Sequence, residues 1–299
     1  LIGGSMEKFE FKSIHELYNL AEQYDVSLSE IVIRHEMETQ EMSEEAVREI
    51  MDRRLDVFVE SIEAGLHDTS RSVSGLVGGD AVKLADSVPV LLGPVARRAA
   101  TYALAVSEAN AKMFKIVACP TAGSCGIVPA VLFAAGRESN AGRTAYINAL
   151  FTAAGIGDVI ARNACVAGAT GGCQAECGTA AAMAAAAVTE LMGGTPSQAV
   201  QAAALCLKNI LGLACDPVAG LVEVPCVKRN GFFAVHALTA AEMAMAGIKS
   251  VIPPDEVVSA MFEIGRAMPV ILKETAEGGL AVTPTGRAIA EQMEKSMAK

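Results

Sequence analysis

The chain has 299 residues, a formal net charge of −10, 52% hydrophobic residues and no Trp. This length and composition predict an extensive, mostly aliphatic core. The acidic balance, with no cluster of Lys and Arg, argues against nucleic acid or an anionic membrane surface as a partner, because both are bound through basic patches. Residues 1–5 are interpreted as a cloning remnant before Met6, and no signal sequence follows.

Eight cysteines without a secretory signal indicate a reducing compartment, and therefore a cytoplasmic protein. In that compartment thiols serve as core residues, catalysts or metal ligands rather than as disulfides. The uncharged stretch 116–136 is interrupted by Pro120 and Pro129, so we interpret it as buried core rather than as a membrane span.

Three amphipathic helices are predicted near the N-terminus. Ser13 and Ser27 each precede a glutamate by three residues, which is the spacing of a capping box. A third helix starts at Ser43 and keeps apolar residues at helical spacing as far as Leu66. The Ser- and Gly-rich residues 67–79 predict a loop that joins this region to a more apolar remainder.

Proline and glycine divide the remainder into further helices. Helix starts are predicted at Pro94, Ile127, Thr144, Thr195-Pro196, Pro253-Pro254 and Thr283-Pro284, and Asn230-Gly231 is expected to precede an apolar helix that ends at Gly247. Alternating runs of β-branched residues are nearly absent. The predicted fold is therefore all-α, with many helices around the buried, Ala-rich helix of residues 179–188.

The cysteines differ in their local context. Cys206 and Cys165 are interpreted as core residues, whereas Cys177 is ambiguous because it begins the Ala-rich helix beside another thiol. Helix boundaries, where the backbone can be shaped around a ligand, hold Cys173, Cys215 and Cys226. Their spacing matches no zinc finger, ferredoxin run or redox motif, so a metal site and three unrelated buried thiols both remain open.

Two loops and one carboxylate are further candidates for a site. Residues 120–126 are small and precede a helix, which suits either an anionic group or a simple capping turn. Residues 225–230 place Lys228, Arg229 and Asn230 beside Cys226, although such charges are often ordinary surface residues. Glu176 lies beside a thiol at an apolar helix, which suits acid-base chemistry or a helix cap.

Three long motifs occur in order along the chain. They are CPTAGSCGIVPAV (119–131), GATGGCQAECG (168–178) and CDPVAGLVEVPCVKRN (215–230). Together they resemble the alpha chain of bacterial iron-sulfur-dependent L-serine dehydratase, and the resemblance extends over essentially Met6 to Lys299.

The resemblance implies a [4Fe-4S] cluster held by Cys173, Cys215 and Cys226, which match the three ligands of the family. It also implies β-elimination of L-serine to pyruvate and ammonia without pyridoxal phosphate. An iron with an open position would act as a Lewis acid on the substrate while a base removes the α-proton. The expected architecture is one catalytic domain over residues 6–299, with a helical region (6–66), a loop (67–79) and a core for cluster and substrate (80–299).

The same resemblance suggests roles for polar and small residues. The expected catalytic residues are Glu176 and Lys228, and the expected substrate contacts are Thr121, Ala122, Gly123, Ser124 and Asn230. Single-chain relatives carry an additional regulatory region that supplies an active-site histidine. None of the four histidines here falls in a matching motif, so we expect a separate alpha subunit in an oligomer whose beta subunit supplies the base.

Other interpretations stay open at this stage. A sister activity removes sulfide from L-cysteine with a similar cluster. The chain could instead carry the cluster, or serve as a scaffold, for a partner that does the chemistry, or bind zinc through its thiols.

Overall fold

The computed structural model describes residues 8–297, so the interpreted cloning remnant and Met6 lie outside the described residues. The all-α prediction is confirmed, because this range contains α-helices and short helical turns but no β-strand. The α-helices are Ile14–Tyr24 (α1), Leu28–Gln40 (α2), Glu44–His67 (α3), Asp80–Asp86 (α4), Pro94–Ala111 (α5), Ile127–Glu138 (α6), Arg143–Asn163 (α7), Gly168–Gly171 (α8), Thr179–Leu191 (α9), Pro196–Lys208 (α10), Cys226–Met245 (α11), Pro254–Ala267 (α12) and Pro284–Met297 (α13).

Serine side chains start the first three helices as the sequence predicts. The hydroxyls of Ser13, Ser27 and Ser43 each accept a hydrogen bond from a backbone N–H in the first turn. At the first two, the glutamate three residues on bonds elsewhere, so only half of the predicted capping box forms. A complete capping box starts α10, where Thr195 and Gln198 each accept a bond from the other's backbone N–H.

The Ala-rich helix α9 is the centre of the fold. Every residue from Thr179 to Thr189 is buried, and α6, α7, α10 and α11 pack around it. Because alanine adds only a methyl group beyond the backbone, four neighbouring helices can approach α9 closely and still leave no voids. The N-terminal helices share this core, since Leu17, Ile31 and Phe58 belong to the same apolar cluster as the alanines of α9.

One helix, α7, is long and apolar enough by length and composition to cross a membrane. Its most apolar window is 61% buried inside the fold. Because α9 and α2 cover it, α7 packs as an ordinary core helix.

Two elements differ from the sequence prediction. The apolar helix expected after Asn230-Gly231 starts earlier, at Cys226, so both residues lie inside α11. A Cβ atom at Gly231 would lie at ordinary contact distance from Ala100 and Leu104 of α5, so the packing there does not require glycine. The second difference is the short helix α4, which the sequence analysis did not predict and which begins directly after the predicted loop. The buried carboxylate of Glu108 accepts hydrogen bonds from the N–H groups that start this helix.

Candidate active site

Three segments that are distant in sequence meet at the N-terminal end of α9. Residues 119–126 form a short turn before α6, residues 173–178 form a π-helical turn that leads into α9, and residues 213–225 lead into α11. The turn at 122–124 contacts the π-helical turn, and both contact α11. The fold therefore brings all three sequence motifs together.

Glu176 lies between two of these segments. Its Oε1 accepts a hydrogen bond of 2.9 Å from the hydroxyl of Thr121, and its Oε2 accepts a longer one of 3.7 Å from the thiol of Cys215. Burial raises the pKa of Glu176, although the hydrogen bond from Thr121 partly opposes this shift. A carboxyl group that holds its proton more tightly than an exposed glutamate suits proton transfer at this position.

Glycines leave the space that Glu176 occupies. A Cβ atom at Gly168 would lie 2.6 Å from Glu176 Oε2 and 2.9 Å from Cys215 Sγ, which is closer than real contacts allow. At Gly123 a Cβ would lie 3.4 Å from Glu176 Oε1. The sequence motif contains Gly168, but nothing in the sequence alone indicated that its backbone forms a wall of the site.

Cys173 and Cys177 form a hydrogen-bonded thiol pair, with their sulfurs 3.4 Å apart. The hydrogen bond between the two thiols, aided by the charge of Arg229, lowers the pKa of Cys173 despite its burial. The same interaction and burial raise the pKa of Cys177 well above its usual value. The structure thus places Cys177, which the sequence left ambiguous, in contact with a predicted ligand.

Cys215 and Cys226 lie in the same neighbourhood. Burial, followed by the charges of Glu176 and Cys173, raises the pKa of Cys215. Burial and the charge of Cys173 raise the pKa of Cys226 to about 12. The charge of Cys173 therefore opposes the ionisation of both other thiols.

Arg229 is the cation that the described structure places beside these thiols. Its guanidinium donates to the carbonyl oxygen of Ala214 and to Oδ1 of Asp216, both at 2.9 Å, so it bonds to the residues on either side of Cys215. Arg229 itself follows Cys226 by three residues on α11. This ion pair is largely buried and holds the Cys215 loop against the Cys226 helix.

A segment near the C-terminus, residues 269–283, covers the other side of Cys215. The Cys215 N–H donates to the carbonyl of Leu272 at 2.9 Å, and the Glu274 N–H donates to the carbonyl of Cys215 at 2.7 Å. The Leu280 N–H donates to Oδ2 of Asp216. The sequence analysis missed this segment, because it carries no thiol and no helix-start signal near Cys215.

The predicted substrate loop is held by hydrogen bonds from α11 and by bonds of its own. Asn230 is fully buried, and its side chain accepts from the Gly126 N–H and donates to the carbonyls of Gly123 and Cys226. The Ser124 hydroxyl also bonds within the loop, to backbone carbonyls. Asn230 therefore shapes this loop from behind.

Lys228 pairs with a carboxylate on another helix. Its ammonium group forms an ion pair of 2.6 Å with Asp80 at the start of α4, and its side chain is partly exposed. The predicted catalytic role of Lys228 stays a prediction, as do the predicted ligand and substrate roles of the other site residues.

Comparison with known proteins assigns the chain to a family. Residues 23–281 match the family described as serine dehydratase alpha chain. The chain belongs to this family. It is 49% identical to a probable L-serine dehydratase alpha chain from Bacillus subtilis, over 95% of each chain, and 42% identical to the L-serine dehydratase alpha chain from Peptoniphilus asaccharolyticus, over 92% and 95%.

The family also contains longer relatives. An L-serine dehydratase from Streptomyces coelicolor is 38% identical over 92% of this chain but only 61% of its own length. The resemblance drawn from the three motifs is confirmed by these matches. This chain therefore corresponds to part of that longer relative.

The donor set of this family member is compatible with an iron-sulfur cluster. Within residues 8–297, no group of three or more His, Cys, Asp or Glu side chains is arranged as a site for a single metal ion. A cluster is wider than one ion, and its thiolate ligands stand farther apart. Three buried thiols lie around Glu176 and Arg229, and thiolates are the usual ligands of iron-sulfur clusters. Gly168 leaves space beside them.

The histidines of this serine dehydratase alpha chain all lie outside the site. His236 bonds to the carbonyl of Cys206 in the core, and the ring of His35 lies tilted against Phe11. His67 contacts Glu63 on α3, and the backbone N–H of His15 bonds to a carboxylate on α12. Among the described residues, no hydrogen bond joins a histidine to Glu176.

Proposed function

We propose that this chain is the cytoplasmic alpha subunit of an L-serine dehydratase, which converts L-serine to pyruvate and ammonia by β-elimination in amino-acid degradation. The observation that carries the proposal is the position of Glu176. Its buried carboxyl group lies against the Thr121 hydroxyl and the Cys215 thiol, where the three motifs of the family meet. The names of the relatives support L-serine as the substrate.

Cys173, Cys215 and Cys226 would hold a [4Fe-4S] cluster. When bound, such a cluster with three protein ligands supplies a Lewis acid for the substrate's hydroxyl and carboxylate oxygens. Arg229 keeps the Cys215 loop and the Cys226 helix in register, which fixes two of the three ligands. No pyridoxal phosphate is required by this arrangement.

Glu176 is proposed to hold and donate the proton that leaves with the β-hydroxyl group. Serine loses its α-proton and this hydroxyl group, which departs as water, and leaves aminoacrylate. Aminoacrylate then tautomerises to an imine, and water hydrolyses the imine to pyruvate and ammonia. Thr121 orients the carboxyl group through Oε1, so that the proton at Oε2 faces the substrate.

The substrate itself would contact the loop from Thr121 to Ser124. Asn230 supports this loop through backbone hydrogen bonds, and Gly123 lets substrate and Glu176 approach it. Lys228 remains a candidate catalytic residue, acting from the edge of the site beside Asp80. We expect the base for the α-proton on a beta subunit, because the four histidines of this chain lie elsewhere.

Anaerobic purification, iron and sulfide analysis and a pyruvate assay test this proposal. The expected result is bound iron and sulfide, with slow turnover of L-serine by the chain alone. The single-chain Streptomyces coelicolor relative serves as the positive control. An iron-free preparation with full activity would overturn the cluster, and sulfide release from L-cysteine in preference to serine turnover would overturn the substrate.

Single-cysteine variants test the ligand assignment. Cys173→Ala, Cys215→Ala and Cys226→Ala should each lose iron, whereas Cys206→Ala should keep it. Cys206 is a matched control because its thiol is fully buried in α10, away from the other thiols. Loss of iron in the control as well would show that general destabilisation, not ligand removal, explains the result.

A further inference from the structure

Cys177 is a buried thiol for which the proposed reaction has no use. It lies in the π-helical turn Gln174–Gly178, one residue before the end of the turn, and is 1% exposed. An apolar side chain would fill the space of Cys177 without contributing a polar group. The Cys177 sulfur instead lies 3.4 Å from Cys173 Sγ, and this contact is the one thiol–thiol hydrogen bond among the described residues.

We propose that Cys173 and Cys177 form a reversible disulfide when the protein loses its cluster. The inference rests on the proposed function in one respect, because its consequence depends on Cys173 being a cluster ligand. A disulfide would remove Cys173 from the ligand set and would protect its sulfur from further oxidation. The site would accept iron again only after a thiol reductant had opened the bond.

The distance between the two sulfurs is short enough for this step. A disulfide bond is about 2.05 Å long, so the sulfurs must approach by roughly 1.4 Å from their separation in the structure. Residues four apart on a helix lie on adjacent turns, with Cβ atoms about 5–6 Å apart, whereas a relaxed disulfide needs about 3.5–4.5 Å. The bond therefore requires movement in the π-helical turn, and a strained disulfide of this kind is easily reduced.

The chemistry needs an oxidant, for which hydrogen peroxide is sufficient. The Cys173 sulfur attacks one peroxide oxygen, the O–O bond breaks, and a sulfenic acid and one water molecule result. The Cys177 sulfur then attacks the Cys173 sulfur, forms the S–S bond and displaces a second water molecule. Two thiols are oxidised and one peroxide is reduced to two molecules of water, so atoms and electrons balance.

Among the described residues, no other thiol of the site forms a hydrogen bond to a second sulfur. Cys215 donates to the Glu176 carboxylate, and Cys119 donates to the carbonyl of Cys125. This difference favours Cys173 and Cys177 as the pair that forms the proposed disulfide.

The test uses the full chain purified without iron and treated with dilute hydrogen peroxide. Free thiols are alkylated under denaturing conditions, and peptides are mapped by mass spectrometry before and after reduction. The expected result is the loss of two of the eight thiols, a Cys173–Cys177 linked peptide and full recovery with dithiothreitol. Oxygen adducts at Cys173 without the linkage, or a linkage between other cysteines, would overturn the proposal.

Cys177→Ala and the buried control Cys206→Ala extend the test. After peroxide, the Cys177 variant should show sulfinic or sulfonic acid at Cys173. Dithiothreitol does not reduce these acids, so this variant should not regain iron uptake, whereas the control should behave as the wild type. Thermal unfolding shows whether each variant is folded. If a variant does not fold, the peptide map of the wild-type protein still shows whether Cys173 and Cys177 are linked. A linked protein that still takes up iron fully would refute the ligand role of Cys173 while leaving the disulfide established.

Discussion

Replacing Gly168 with alanine tests how closely the active site is packed. The added Cβ would lie 2.6 Å from Glu176 Oε2 and 2.9 Å from Cys215 Sγ, whereas ordinary contacts begin at 3.4 Å. Gly168 has no left-handed backbone conformation, so alanine brings no backbone strain of that kind. The clash with two side chains of the site is therefore the main effect of the substitution.

The geometry gives the size of the expected effect. The Glu176 carboxylate must move by about 0.8 Å to reach an ordinary contact distance, and Cys215 must also shift. A displacement of about 1 Å in a catalytic group costs on the order of 100-fold in rate. Overpacking of this kind costs about 1–3 kcal/mol in the free energy of unfolding. We expect kcat/KM for L-serine to fall on the order of 100-fold in a protein that still folds.

Steady-state assays of pyruvate formation and urea unfolding measure the two effects separately. Gly231→Ala is the matched control, because its Cβ would meet neighbours at 3.5 and 3.6 Å inside α11. That substitution should raise the free energy of unfolding by about 0.5–1 kcal/mol and leave activity unchanged. Wild-type activity and iron content in Gly168→Ala would refute the inferred packing of Glu176 and Cys215.

Three further predictions follow from side-chain hydrogen bonds. Thr121→Val removes the donor to Glu176, so the pKa of Glu176 should rise, and the limb of the pH–rate profile that reports Glu176 should move to higher pH. An unmoved profile would exclude this contact from the reaction. Asn230→Asp keeps an acceptor but loses the donor to the Gly123 carbonyl, so urea unfolding should show a loss of about 1–3 kcal/mol and KM for serine should rise. Burial raises the pKa of Glu190, so its protonated form favours the folded state, and this contribution is lost as pH rises through the folded pKa. The free energy of unfolding of Glu190→Gln, measured across the acidic range, should not show this decrease. Parallel curves of that free energy against pH for the variant and the wild type would contradict the prediction.

Sequence alone determined the class of fold and most of its helices. Capping serines, prolines in first turns and apolar spacing act within a few residues, so they indicate where α1, α2, α3 and α12 begin without knowledge of the fold. The Ala-rich composition of residues 179–188 similarly predicted a buried helix, because a surface helix needs a polar face. Local signals failed where tertiary packing decides the outcome, as in α11, which runs through Asn230 and Gly231.

The relations inside the candidate site were decided only by the tertiary structure. The motifs identified Glu176, Cys173, Cys215 and Cys226 as candidates but could not give their distances, because these depend on how α9 and α11 pack. Arg229 pairs with Asp216, Cys177 contacts Cys173, and Gly168 lies close to Glu176. These contacts depend on how neighbouring turns and helix ends fold against one another. Such contacts depend on the whole fold rather than on local spacing. The sequence therefore identified the main candidate residues of the site but not their geometry.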